Sequence, residues 1–108
     1  MQLKPKTIEL DMNASEYLRI LGGPPESITM RAGYVVLKPS QTVGRHNTES
    51  YEEMIIVMEG EGELLMGDGS VRELRQHVVA YCPPDTEHDV RNTGNSPLRY
   101  IYVVAATR

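Results

Sequence analysis

From Ser27 onward, short runs rich in Val, Ile, Tyr and Met alternate with turn residues at even intervals, and this rhythm confines the chain to an antiparallel β architecture. The runs are Ile28 to Lys38, Met54 to Met58, Glu63 to Met66, Val71 to Leu74, Val78 to Cys82, His88 to Arg91 and Leu98 to Ala105. Strands of this length and spacing close as a sandwich or a barrel. Gly67-Asp68-Gly69 supplies residues that accept positive φ, so Glu63 to Leu74 is expected to form a tight hairpin. Asn92 to Pro97 is a second turn cluster, and its proline places Leu98 near a strand start. One stretch reads as a helix: Ala14 to Leu21, with Leu18 and Leu21 on one side and Gly22-Gly23-Pro24-Pro25 as its stop. The expected organisation is an extension over residues 1–26 carrying a short helix, followed by one all-β domain over 27–108.

A chain of 108 residues suffices for one core and is too short for two domains of ordinary size. The net charge is −4 and the eleven Lys and Arg residues are dispersed, which argues against a phosphate-tracking surface and hence against nucleic acid as a partner. No stretch approaches the roughly eighteen apolar residues of a membrane span, and Met1 to Lys6 lacks the apolar core of a signal peptide. The lone Cys82 has no internal disulfide partner. The chain is therefore expected to be cytoplasmic and without a membrane partner.

Two runs, Met54 to Met58 and Ile101 to Ala106, are apolar on both faces, whereas a half-exposed antiparallel strand alternates apolar with polar. Their second face needs a cover. Another layer of the same chain or a second copy would supply it, and the excess is one reason to expect a homodimer.

The chemistry centres on His46 and His88, each set among glycine, proline and glutamate. In extended geometry Glu53 shares a face with Ile55 and Val57, and His88 shares a face with Val90. A carboxylate among apolar neighbours needs a partner, and a metal ion held with two neutral imidazoles removes the cost of burying it. Glu52 then faces outward; a one-residue slip of register exchanges the two glutamates, so Glu52 remains a rival. Cys82 has no neighbouring Lys, Arg or second Cys to lower its pKa, which favours a packing role. Tyr34, Tyr81, Tyr100 and Tyr102 fall in strand runs, where they fill a core or line a ligand cavity.

The spacing between Ser40 and Asn92 resembles the two motifs of the cupin superfamily. In the first, His46, Glu53 and Gly60 match, while Ser40 stands at the opening glycine and Thr48 at the second histidine. In the second, Pro83, His88 and Asn92 match, while His77 and Asp85 stand at glycine positions. The stretch Val57 to Leu64 also resembles the family's glycine turn after its metal-bearing strand. The resemblance implies a cupin-type jelly-roll β-barrel or sandwich. It further implies a divalent metal (Mn, Fe, Ni or Zn) held by His46, Glu53 and His88, with Thr48 in place of the family's third histidine and Glu49 as a possible substitute oxygen. Two functions are compatible with it: a metal-dependent protein acting on a small polar molecule, of dioxygenase, isomerase or lyase type, and a non-catalytic binding or sensory module with a weakened metal site.

Overall fold

The computed structural model describes residues 3–108 and consists of nine strands. They are β1 (Leu18–Gly22), β2 (Arg31–Leu37), β3 (His46–Asn47), β4 (Tyr51–Glu59), β5 (Glu61–Met66), β6 (Val71–Arg75), β7 (Val79–Cys82), β8 (Glu87–Asn92) and β9 (Leu98–Ala106). One sheet has the order β1-β2-β9-β4-β7 and the other β3-β8-β5-β6, with antiparallel pairing throughout. The core lies between the sheets, where Ile55, Val57, Leu64, Leu74, Val90 and Leu98 are buried.

Two expectations are corrected. Among the described residues there is no helix: Ala14 to Leu21 does not coil, and Leu18–Gly22 forms β1 against β2, with Leu18 opposite Tyr34 and Gly22 opposite Arg31. An isolated helix of eight residues is marginal in water, whereas the free edge of β2 offers a ready ladder of backbone partners. The approach to this strand is also tied down, because Arg99 Nη1 donates to the Ala14 carbonyl at 2.6 Å. Neither sheet closes on itself, so the molecule is an all-β double layer and not a true barrel; β1 and β7 are the edges of one sheet, β3 and β6 of the other.

The two-sided apolar strands are explained by cross-strand rows. On the outer face of the larger sheet, Tyr34, Ile101, Ile56 and Val79 lie side by side, as do Ala32, Val103, Met54 and Tyr81. Exposure rises along each row, from 0% at Tyr34 and 4% at Ala32 to 57% at Val79 and 55% at Tyr81. The N-terminal segment produces this gradient: Tyr34 Oη reaches Met12 Sδ at 3.9 Å, and Ile8, Leu10 and Ile20 line a groove with Ile101. The chain thus covers half of its own second face and leaves the β4–β7 half bare.

The hairpin at Gly67-Asp68-Gly69 is present, with Leu65 opposite Val71, Met66 N donating to Ser70 O, and Gly69 at φ 89°. Ser40, His77 and Asp85, the residues at the motifs' glycine positions, adopt φ of 72°, 74° and 54°. The left-handed turns persist without glycine. His77 is exposed, so His77→Gly removes the conformational penalty without losing packing, and we expect it to stabilise the fold by about 0.5–1 kcal/mol. A rise in the urea midpoint at unchanged slope would show it.

Candidate metal centre

The site forms where the two sheets face each other. His46 on β3 and His88 on β8 are direct cross-strand partners, so both side chains leave the smaller sheet on the same face. Their ring centroids are 4.2 Å apart, with the planes at 60°. Glu53 comes from β4 in the opposite sheet, on the inward face with Ile55 and Val57. His88 Nε2 lies 3.0 Å from Glu53 Oε1 and His46 Nε2 lies 4.0 Å from the same oxygen. All three donor atoms fall within 4.8 Å of one another. The His88 side chain is fully buried and that of Glu53 is 8% exposed, while the His46 side chain is 42% exposed and stands at the mouth.

Each imidazole is oriented by a backbone carbonyl. His46 Nδ1 lies 2.8 Å from Gly44 O, and His88 Nδ1 lies 3.1 Å from Thr86 O. A carbonyl only accepts, so Nδ1 carries the proton in both rings and Nε2 is the atom turned toward Glu53. The loop bearing His46 is held in turn by Asp89, whose Oδ1 accepts from Gly44 N at 2.9 Å. Burial opposes charging of His88, but the Glu53 carboxylate and the Thr86 carbonyl outweigh it and the pKa is raised. Without an ion, the His88 imidazole is the polar partner that meets the buried Glu53 carboxylate, Nε2 to Oε1 at 3.0 Å. An ion bound there would take the Nε2 lone pairs of the two rings, whose Nδ1 atoms face the carbonyls. Two imidazoles with tethered Nδ1 and one carboxylate suit a divalent first-row ion, which His46, Glu53 and His88 would hold.

Residues 33–104 match the cupin domain family. The chain belongs to that family. A 56-residue stretch is 34% identical to an uncharacterised protein of Methanocaldococcus jannaschii, covering 52% of this chain and only 44% of that relative. Among solved structures, an RmlC-like cupin family protein from M. jannaschii with a double-stranded β-helix fold superposes with a TM-score of 0.77 at 18% identity, covering 95% of this chain and 92% of the other. A cupin domain from Schizosaccharomyces pombe gives a TM-score of 0.74 at 14% identity, covering 83% of this chain and 63% of that one. At these identities the structural likeness establishes the double-stranded β-helix fold.

The cupin motifs contribute unequally to the centre. Thr48, at the position of the missing histidine, is buried and occupied elsewhere: Oγ1 donates to Pro83 O at 2.7 Å and accepts from Thr86 N at 3.0 Å. It latches the start of β4 to the turn before β8. We expect Thr48→Val to cost about 1–3 kcal/mol in urea unfolding, because it leaves Thr86 N and Pro83 O without this partner. Asn92 is likewise structural, donating from Nδ2 to Leu37 O and Ser96 O and accepting from Gly94 N. Glu52 points to the outer face and accepts from Tyr81 Oη at 2.8 Å. Neither Glu49 nor Glu52 joins the three-residue cluster. Cys82 is fully buried opposite Glu53, and burial together with that carboxylate pushes its thiol up to about 11, so it is packing rather than a nucleophile.

The centre opens into a cavity of about 850 Å³ between the sheets. Val35, Val90, Tyr100 and Val104 form its apolar wall, and Tyr102 also lines it; Tyr34 and Tyr81 lie on the other face of the sheet. Sequence reasoning overlooked Tyr17, Arg31 and Tyr51, which line the same space. Tyr17 fell within the supposed helix and Arg31 within a strand run, so neither carried a local signal. Among the described residues no helix is long and apolar enough to cross a membrane.

Proposed function

We propose that this cupin binds one divalent metal ion (Mn, Fe, Ni or Zn) through His46 Nε2, Glu53 and His88 Nε2, and acts on a small polar molecule that enters the adjoining cavity. The observation that carries this reading is the pair of Nδ1 tethers, which turn both Nε2 atoms toward one carboxylate oxygen. A bound ion would supply Lewis-acid polarisation of a carbonyl or carboxylate, compatible with dioxygenase, isomerase or lyase chemistry. The chain's own residues prepare the place. Gly44 O and Thr86 O keep the ring protons away from the centre, Glu53 contributes the one negative charge, and Val35, Val90 and Val104 exclude water from the inner wall. His46 stands at the opening, where an incoming molecule passes it.

Purified protein incubated with each of the four metals and then desalted should retain about one ion per chain by elemental analysis. Glu53→Gln should weaken retention by about 10- to 100-fold, and Glu52→Gln, on the outer face, should leave it unchanged. Equal effects of the two substitutions would refute the ligand assignment.

The role of Thr48 favours a second reading, a non-catalytic module that holds a small molecule in the cavity, because the fourth protein ligand of many cupins is here part of the framework. Absence of retained metal with an intact fold would select it. We also infer a homodimer formed through the bare half of the larger sheet, where Met54, Val79 and Tyr81 are exposed side by side. Tyr81→Glu should convert the sedimenting species from dimer to monomer; a wild-type monomer would refute the inference.

A further inference from the structure

The geometry points to a small carboxylic acid as the molecule taken by this cavity, with Arg31 as the seat of its carboxylate. The inference deepens the reading above and rests on the cavity described there. Arg31 on β2, Val104 on β9 and Glu53 on β4 form one cross-strand row on the inward face of the larger sheet. Two strand spacings of about 4.8 Å separate the main chains of Arg31 and Glu53 by about 10 Å. Arg31 therefore lines the same space as Glu53 and His46, with Val104 between Arg31 and Glu53 in the row.

Arg31 makes no ion pair among the described residues. Among the described residues, every arginine except Arg31 and Arg72 has an acidic partner within ion-pair distance, including Arg45, which lines the cavity but pairs with Glu87 at 2.9 Å. Arg72 does not line the cavity, whereas Arg31 does. The Arg31 guanidinium is placed by the Tyr51 ring, whose centroid lies 5.9 Å from Cζ. The adjoining wall is also polar. Tyr17 and Tyr102 stack with centroids 6.4 Å apart and join through their hydroxyls at 2.6 Å. Gly33, between Arg31 and Val35 on the same face, makes room for them, since a Cβ there would collide with the Tyr17 hydroxyl and the Tyr102 ring. A planar, accessible guanidinium with its fork uncommitted matches the two oxygens of a carboxylate, and the far end of such a molecule faces His46, Glu53 and His88.

The test measures calorimetric binding of the straight-chain dicarboxylates from malonate to adipate to wild type, Arg31→Ala, Arg31→Lys and Arg72→Ala, each with and without one equivalent of Mn. At least one acid should bind wild type. Arg31→Ala should weaken that acid by about 10- to 100-fold and Arg31→Lys by about 3- to 10-fold, with Arg72→Ala equal to wild type. Circular dichroism establishes that the variants fold, and the lysine variant keeps the charge and the strand. Failure of every acid to bind wild type, or equal binding by folded Arg31→Ala, would overturn the inference. An Arg31-dependent affinity that persists in protein unable to hold Mn would overturn only the metal reading. One retained Mn with no Arg31 dependence would overturn only the carboxylate seat.

Discussion

His88→Ala should purify without stoichiometric metal, its affinity for the ion reduced by about 100-fold or more, and the metal-free protein should lose about 3 kcal/mol of stability at the same time. Both effects arise from one contact. His88 is fully buried, and its Nε2 stands 3.0 Å from Glu53 Oε1, so truncation removes a proposed ligand and leaves a buried carboxylate without its imidazole partner. The two effects separate in a double variant. Adding Glu53→Gln to His88→Ala discharges the stranded carboxylate and should recover much of the stability in urea unfolding, while metal retention stays absent. If His88→Ala still carries one ion per chain, the centre lies elsewhere. If the double variant is as unstable as the single one, the cost arises from the cavity left by the ring and not from the charge.

Gly60→Ala should be among the most damaging single-methyl additions, costing about 2–5 kcal/mol and lowering the thermal midpoint by more than about 10 °C. Gly60 has φ 92°, and a Cβ built there would meet Pro97 O at 2.5 Å and Leu98 Cα at 2.9 Å. Both obstacles are backbone at the entry to β9, the strand that pairs with β2 on one side and β4 on the other, so neither can move without disturbing the sheet that carries Glu53. Gly69 is the internal control. It has φ 89°, but a Cβ there would meet nothing within 4 Å, so Gly69→Ala should show only the conformational cost of about 1–2 kcal/mol. Equal losses at the two glycines would mean that the Pro97–Leu98 approach contributes nothing.

The parts of the fold legible in the sequence were those encoded by neighbours along the chain. Alternation of side chains along β4 put Glu53 with Ile55 and Val57, and they share the inward face. The Gly67-Asp68-Gly69 turn set the β5–β6 register because a short hairpin leaves little choice of pairing. Leu18–Gly22 failed the same treatment. Its apolar spacing suited a helical turn, and its strand state was decided by the free edge of β2, a partner distant in sequence. The two-residue strand β3 escaped notice for a related reason: His46 and Asn47 carry no strand periodicity and are extended only because β8 lies alongside.

The sequence by itself determined the succession of inward and outward side chains and the turn positions, since these follow from local stereochemistry, and its resemblance to the cupin motifs singled out His46, Glu53 and His88 as candidate donors, with Glu52 still a rival. Tertiary structure decided how they are used. Pairing of β3 with β8 set the two imidazoles side by side, the carbonyls of Gly44 and Thr86 aimed them, and the opposing sheet delivered Glu53 to within 3.0 Å of His88. It also committed Thr48 to the framework and left Arg31, at the cavity wall, without an acidic partner among the described residues. Those assignments depend on which atoms meet across two sheets, and a side chain's role there is set by partners that its own sequence neighbourhood does not contain.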